Sequence, residues 1–273
     1  MRHGQIIATL ACVAASSIGA QAAVAATLVG QYLFQGNLAS SVPGAPALVA
    51  IDPAHLSGFV TDTVNGVART VYGFSGTSLP ENQGGLQLDD SSGFVPPNDY
   101  SVDLLFEFTS GANAWRRIFD VLNRQSDTGF YVDSSNLLHA YPAGSGGPAV
   151  STGVYHNVAL TVSAGTTVMA YLDGALAFTA TTTSLNLSNP QNVFNLFLDN
   201  TVGSGLGEWA PGRIALADFY SGALSAAEVA ALNASPFPVT VPEPDSAAML
   251  GLGLLGFCLA RRGRISGAAP VRS

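Results

Sequence analysis

Glycosidic bonds are cut by paired carboxylates, and retaining enzymes hold the two about 5–5.5 Å apart. Alternate positions of one β-strand can supply that pair, as Glu-x-Asp-x-Glu or Glu-x-Asp-x-x-Glu. No such run occurs here: Glu81, Glu107, Glu208 and Glu228 each stand alone. Asp103 and Glu107 share one face of a predicted strand, but opposite its apolar side, where solvent is expected. His55, His139 and His156 are scattered, without the His-x-x-x-His or Glu-x-x-His spacing of a metal site. No serine sits in a Gly-x-Ser-x-Gly elbow. Gly144-Ser145-Gly146-Gly147 reads as a flexible loop with no helix after it to cradle phosphate. An enzyme is not expected.

Binding chemistry remains. Trp115, Trp209 and Tyr141 lie in or beside predicted loops and could stack on sugar rings. Alternatively, both tryptophans plug the ends of the fold. Asp89-Asp90 and Asp199-Asn200 could lend oxygens to calcium, or they are ordinary acidic turns. No other cofactor is indicated.

The elements that must position these residues are short strands. Tyr100, Val102, Leu104, Phe106 and Phe108 alternate with Ser101, Asp103 and Glu107, a period of two over 100–109. Residues 155–179 read as three strands in succession, broken at Ser163-Ala164-Gly165 and at Asp173-Gly174, the latter a strong hairpin signal. Further strands are predicted over 28–34, 86–88, 93–95, 118–122, 130–132, 137–141, 193–198 and 214–220. The stretch 40–85 reads as loops with one or two strands, one of them over 68–74. Many short strands with turn residues between them imply a two-sheet antiparallel sandwich, because a meander cannot bury its apolar face alone. One helix is predicted from Ser225 to about Leu232. Ser225 and Glu228 make a capping box there, and Leu224 and Val229 a hydrophobic staple.

Charge narrows the partners. The chain of 273 residues has ten arginines, no lysine and a formal charge of −8. Between residues 27 and 240 there are five arginines against sixteen carboxylates, a formal charge of −11. That sign repels phosphate backbones and anionic lipid, so nucleic acid is not an expected partner. Cys12 and Cys258 both lie in the apolar ends, leaving the body between them free of thiols and disulfides.

The ends look like addresses. Residues 1–26 begin with Arg2, continue through an apolar stretch over 6–15 and close on Ala22, Ala23, Ala25 and Ala26. These are the parts of a secretory signal peptide, with signal peptidase expected to cut near Ala25 or Ala26. At the other end, Pro242-Glu243-Pro244 precedes an apolar run over 247–260 and then Arg261, Arg262 and Arg264. Arginines beyond an apolar helix favour the cytoplasmic side. Fourteen residues at about 1.5 Å each span roughly 21 Å, short of a hydrocarbon core of roughly 30 Å. Such a helix suits a transient hold better than a permanent anchor.

Two resemblances follow. The box, apolar run and arginines over 238–264 resemble a PEP-CTERM sorting segment, which implies processing by an exosortase-type membrane transpeptidase in a Gram-negative bacterium. A tail of disordered residues over 265–273 would follow. The body, 27–237, resembles laminin-G-like, concanavalin-A-like jelly-roll domains. The segments that carry this are Gly30–Leu38, Gly85–Ser91, Asp127–Asp133, Tyr155–Ala159, Tyr171–Gly174 and Gly212–Val229. The sequence departs from that family at Tyr155, where tryptophan is usual, and at Ala215-Leu216, where an acidic pair is common. The expectation is an all-β jelly-roll sandwich with one short helix, exported and sorted to the cell surface or matrix, binding polysaccharide or a protein weakly. The alternatives are a glycan-active enzyme and a purely structural surface protein.

Overall fold

The alternating run 100–109 becomes, in the computed structural model, a nine-residue strand with neighbours on both sides. The structure describes residues 26–187 and 192–237. The expected signal peptide (Ala26 apart), the sorting residues Pro242, Glu243, Pro244, Arg261, Arg262 and Arg264, the apolar C-terminal helix and the 265–273 tail lie outside the described residues. Among the described residues no helix is long and apolar enough to cross a membrane.

In chain order the strands are β1 (Thr27–Tyr32), β2 (Val49–Ile51), β3 (Gly58–Val64), β4 (Val67–Phe74) and β5 (Gly85–Asp89). Next come β6 (Tyr100–Phe108), β7 (Arg116–Asp120), β8 (Gly129–Val132), β9 (Leu138–Tyr141) and β10 (Gly144–Gly146). The last are β11 (His156–Ser163), β12 (Thr167–Leu172), β13 (Ala175–Thr181), β14 (Val193–Leu196) and β15 (Gly212–Ser221). One antiparallel sheet runs β13-β12-β11-β6-β15-β4-β3, with β1 also paired to β15. The second runs β10-β9-β8-β7-β14-β5-β2. Their inner faces meet in one core, where Phe106 and Phe108 of β6 pack against Phe197, which follows β14. The two-sheet sandwich is therefore as expected from the alternation.

Turn chemistry sets the registers. Asp173 and Gly174 adopt φ of +51° and +81°, the left-handed pair that a two-residue hairpin between β12 and β13 needs. Asn65 and Gly66 do the same at +50° and +80° between β3 and β4. Only the second strand of that hairpin was legible, because β3 is an edge strand with mostly exposed residues and no inward apolar alternation. His156 Nε2 accepts the Ser151 amide (3.1 Å), so Nδ1 carries the proton it shares with Asp173 (2.9 Å). Asp173 Oδ1 then accepts the Asn157 amide (3.0 Å), tying the hairpin turn to the start of β11.

Three expectations are corrected. Residues 93–95 form no strand: Gly93 bonds back to the Asp90 carbonyl (2.7 Å) and Val95 to the Asp90 carboxylate (3.0 Å), closing a turn. Gly144–Gly146 is an edge strand, not a free loop. Its glycines admit the neighbouring β13, whose Ala180 Cβ would lie 3.0 Å from a side chain at 144. Asp103 and Glu107 are buried, not solvated. β6 is flanked by β11 and β15: Asp103 accepts from Asn157 of β11 and lies opposite Asp218 of β15, and Glu107 accepts from Arg213 of β15.

The helix α1 (Ala226–Ala234) starts as the capping box requires. Glu228 Oε2 accepts from the Ser225 amide (2.7 Å), and the Glu228 amide donates to Ser225 Oγ (3.3 Å). Leu224 and Val229 bury together against Tyr220.

Candidate functional site

Alternation sends Phe130 and Val132 of β8, and Leu138 and Ala140 of β9, into the core. It turns Tyr131, His139 and Tyr141 to the outer face of the second sheet, with Tyr131 opposite His139 in the register. Trp115, just before β7, completes the group. Its ring lies 5.0 Å from His139, 5.5 Å from Tyr131 and 5.7 Å from Tyr141, edge-on to both tyrosines. Edge-to-face packing is a favoured arrangement of aromatic rings, so these side chains brace one another. Tyr131 is buried beneath the other three, which are half-buried. Asp133 Oδ2, 3.3 Å from His139 Nδ1, orients that ring.

A buried cation holds the ground beside the rings. Arg117 of β7 faces Tyr131 in the register, lies 4.7 Å from its ring centroid and donates to its hydroxyl. Its Nη1 is 3.6 Å from Asp120 and its Nη2 3.9 Å from Asp127. Nη2 also donates to Asn200 Oδ1 (2.9 Å), and Nε lies 3.2 Å from Asp199 Oδ1. Asp199 Oδ2 accepts the Gly207 and Glu208 amides at 2.7 and 2.8 Å. Asn200 Nδ2 donates to the Val202 and Ser204 carbonyls, both at 2.9 Å. The loop 199–209 is thus wound around one guanidinium. This places Glu208 near Tyr131 and Asp127. Burial raises the Glu208 carboxyl to about 7, with the charges of Asp127 and Asp199 adding, while Arg117 and the Tyr131 hydroxyl oppose the rise.

Of the three expected stacking residues, the structure brings together Trp115 and Tyr141. It adds Tyr131 and His139, which sequence reasoning missed, although the outward alternation of β8 and β9 carried the signal. Trp209 stands apart. It is 8% exposed and its Nε1 donates to the Gly84 carbonyl (3.1 Å), so it is a plug and not a platform. Glu208 was missed because nothing local links it to Asp127; only the Arg117-centred loop does.

The acidic turns are engaged within the protein. The Asp199-Asn200 oxygens hold Arg117 and loop amides, so a guanidinium supplies the positive charge there. Asp89 Oδ1 accepts the Ser91 amide (2.8 Å), and buried Asp90 accepts that of Val95. Among the described residues no group of three or more His, Cys, Asp or Glu side chains could hold a metal ion.

Comparison with known proteins gives two family matches. The profile described as concanavalin A-like lectin/glucanases superfamily matches residues 80–230, and the PEP-CTERM protein-sorting motif matches residues 240–264. No curated protein sequence matches the chain. Among solved structures, domain 4 of AbnA is similar, with a TM-score of 0.59 at 17% identity over 77% of this chain and 100% of that one. AbnA is a GH43 extracellular arabinanase from Geobacillus stearothermophilus, and its domain 4 was solved with arabinotriose. A botulinum neurotoxin type C structure, described as depending on two ganglioside molecules for cell entry, is similar at TM-score 0.56 and 11% identity. That match covers 80% of this chain and 52% of the toxin chain, so the protein spans about half its length. At these identities the likeness is one of fold.

Proposed function

Because the chain belongs to the concanavalin A-like lectin/glucanases superfamily and carries a PEP-CTERM protein-sorting motif, we propose that it is an exported, surface-sorted protein of the extracellular matrix that binds carbohydrate without cutting it. The observation that carries this is the pre-assembled ring group of Trp115, His139 and Tyr141 over Tyr131. Rings that already brace one another lose little freedom when a sugar stacks on them, which is how a shallow site gains affinity. The arabinotriose bound to AbnA domain 4 and the gangliosides of the toxin support carbohydrate as the ligand class for this fold. Export requires signal peptidase, and the tail fits release by an exosortase-type transpeptidase after a transient membrane hold. The experiment is a glycan-array screen of the full chain, followed by titration of Trp115→Ala against the best ligand.

One observation favours a second reading, a glycan-active enzyme. A half-buried Glu208 that exchanges its proton near neutrality, beside an aromatic platform, has the character of a general acid. The neighbouring carboxylates argue against it: Asp199 is ion-paired and bonded to two loop amides, and Asp127 is held by Tyr131 and Arg117. Release of reducing ends from a polysaccharide, abolished by Glu208→Gln, would establish the enzyme instead.

A further inference from the structure

The opposite outer face, on the first sheet, holds a second polar site. β3, β6 and β15 carry Asp62, Glu107 and Arg213 there, and the segment before β11 lays Val154 and Tyr155 beside them around a cleft of about 430 Å³. Arg213 stands opposite Glu107 in the β6–β15 register. A single nitrogen, Arg213 Nη1, donates to Glu107 Oε1 (2.7 Å) and to Asp62 Oδ2 (3.1 Å). The Tyr155 hydroxyl donates to the same Asp62 oxygen (2.9 Å), and Asp62 Oδ1 accepts the Thr63 amide (2.8 Å). Burial, then Asp62, push the Tyr155 pKa upward, so it stays a neutral donor.

This arrangement leaves one edge of each charged group free. Among the described residues no hydrogen bond engages Arg213 Nε, Arg213 Nη2 or Glu107 Oε2, and none of the three is a buried orphan. The Arg213 side chain is 39% exposed and Val154 beside it is 48% exposed, while the Glu107 side chain, 6% exposed, forms part of the cleft wall. The cleft is thus lined by a guanidinium with two uncommitted nitrogens and by the carboxylate paired to it, with the apolar Val154 alongside, and Arg213 also borders a smaller cavity beside Val60 and Gly73. Two flanking carboxylates disfavour a phosphate or carboxylate ligand, and the guanidinium disfavours a metal cation. Adjacent hydroxyls, each donor and acceptor at once, match the donor–acceptor pair.

We infer that this cleft is a second carbohydrate site, taking a vicinal diol of a neutral sugar on the Arg213–Glu107 pair, so that one sandwich can hold a glycan on each outer face. The ligand class rests on the glycan-binding function proposed above; the location rests on the cleft alone. A protein with two such faces would cross-link polysaccharide without forming an oligomer.

The test follows the Arg213 Nε–Hε resonance by NMR in the full chain, purified in detergent, with Trp115 fluorescence read in parallel. Arabinotriose, xylotriose, cellotriose and mannotriose are titrated, with spermidine and inorganic phosphate as charged comparisons. At least one sugar is expected to shift the Arg213 resonance in both the unaltered chain and Trp115→Ala. Glu107→Gln, which keeps shape and the bond to Arg213, should weaken that titration by at least about fivefold and leave the Trp115 response unchanged. The inference is overturned if no sugar shifts Arg213, if only spermidine or phosphate does, or if the shift disappears in Trp115→Ala. A Trp115 response without an Arg213 response removes this cleft and leaves the ring site standing. An Arg213 response without a Trp115 response does the reverse.

Discussion

Arg117 Nε and Asp199 Oδ1 lie 3.2 Å apart with neither side chain exposed, and the loop 199–209 is organised from that pair. The ring site depends on it, because the same guanidinium packs against the Tyr131 ring and donates to its hydroxyl.

Removing that cation should be costly. Arg117→Met leaves Asp199 and Asp120 buried without their partner, and breaking a buried pair in this way costs about 3–5 kcal/mol. A lowered urea midpoint with an unchanged slope is the expected signature. Because Asp199, already raised by burial, can then take up a proton, the loss should be smaller at pH 5 than at pH 8. An equal loss at both values would contradict the role given to the pair.

Stability should fall as pH rises through neutrality. Asp103 and Asp218 face each other across β6 and β15, and Asp103 Oδ2 and Asp218 Oδ1 are buried without partners. Around them stand Asn157, which donates to Asp103, and Gln31 and Tyr220, which donate to Asp218. Burial raises Asp103 from 3.8 to about 7, and raises Asp218 to about 8 with the charge of Asp103 adding. The folded chain thus holds protons that the unfolded chain has released. Their contribution is complete below about pH 4 and is lost as pH climbs to about 8, by at most about 1.4 kcal/mol per pH unit for each proton. Asp90 and Glu208, raised to about 6 and about 7, act in the same direction. Asp218→Asn should therefore raise the unfolding free energy more at pH 8 than at pH 5. A profile that rises between those values would sink this assignment.

Trp209 should matter for folding and not for binding. Trp209→Ala removes a buried indole and its bond to Gly84, for an expected loss of about 3–5 kcal/mol. Sugar titrations at a temperature where the variant remains folded should match those of the unaltered chain. A selective loss of affinity would return Trp209 to the binding site.

The tail makes its own prediction. Replacing Pro242, Glu243 and Pro244 by alanine should leave an unprocessed precursor in the membrane fraction, visible by immunoblot as a larger, retained species. Normal cutting and release would refute the sorting role.

Much of the sandwich was legible because two-residue periodicity is a local property. The run 100–109, the meander over 155–179 and the Ser225 capping box can each be read without knowing what they touch. What escaped depended on neighbours. Gly144–Gly146 pairs as a strand because a partner edge lies against it, and Asp103 and Glu107 are buried because β11 and β15, distant in sequence, flank them. Trp115 and Tyr141 were identifiable as aromatic side chains near loops. Their union with Tyr131 and His139 depended on the β8–β9 register. Glu208 reaches them because β7 and the 199–209 loop meet there: the Arg117 amide donates to the Glu208 carbonyl (2.8 Å), and the Arg117 side chain pairs with Asp199, 82 positions away.

The most direct measurement is calorimetric titration of the full chain, in detergent, with the best ligand from a glycan array, compared with the Trp115→Ala, Tyr141→Ala double variant. The unaltered chain should bind, and the double variant, titrated at a temperature where it remains folded, should lose at least about tenfold in affinity, roughly 1.4 kcal/mol. No glycan bound by the unaltered chain, or full affinity in the variant, would contradict the ring group as a carbohydrate site.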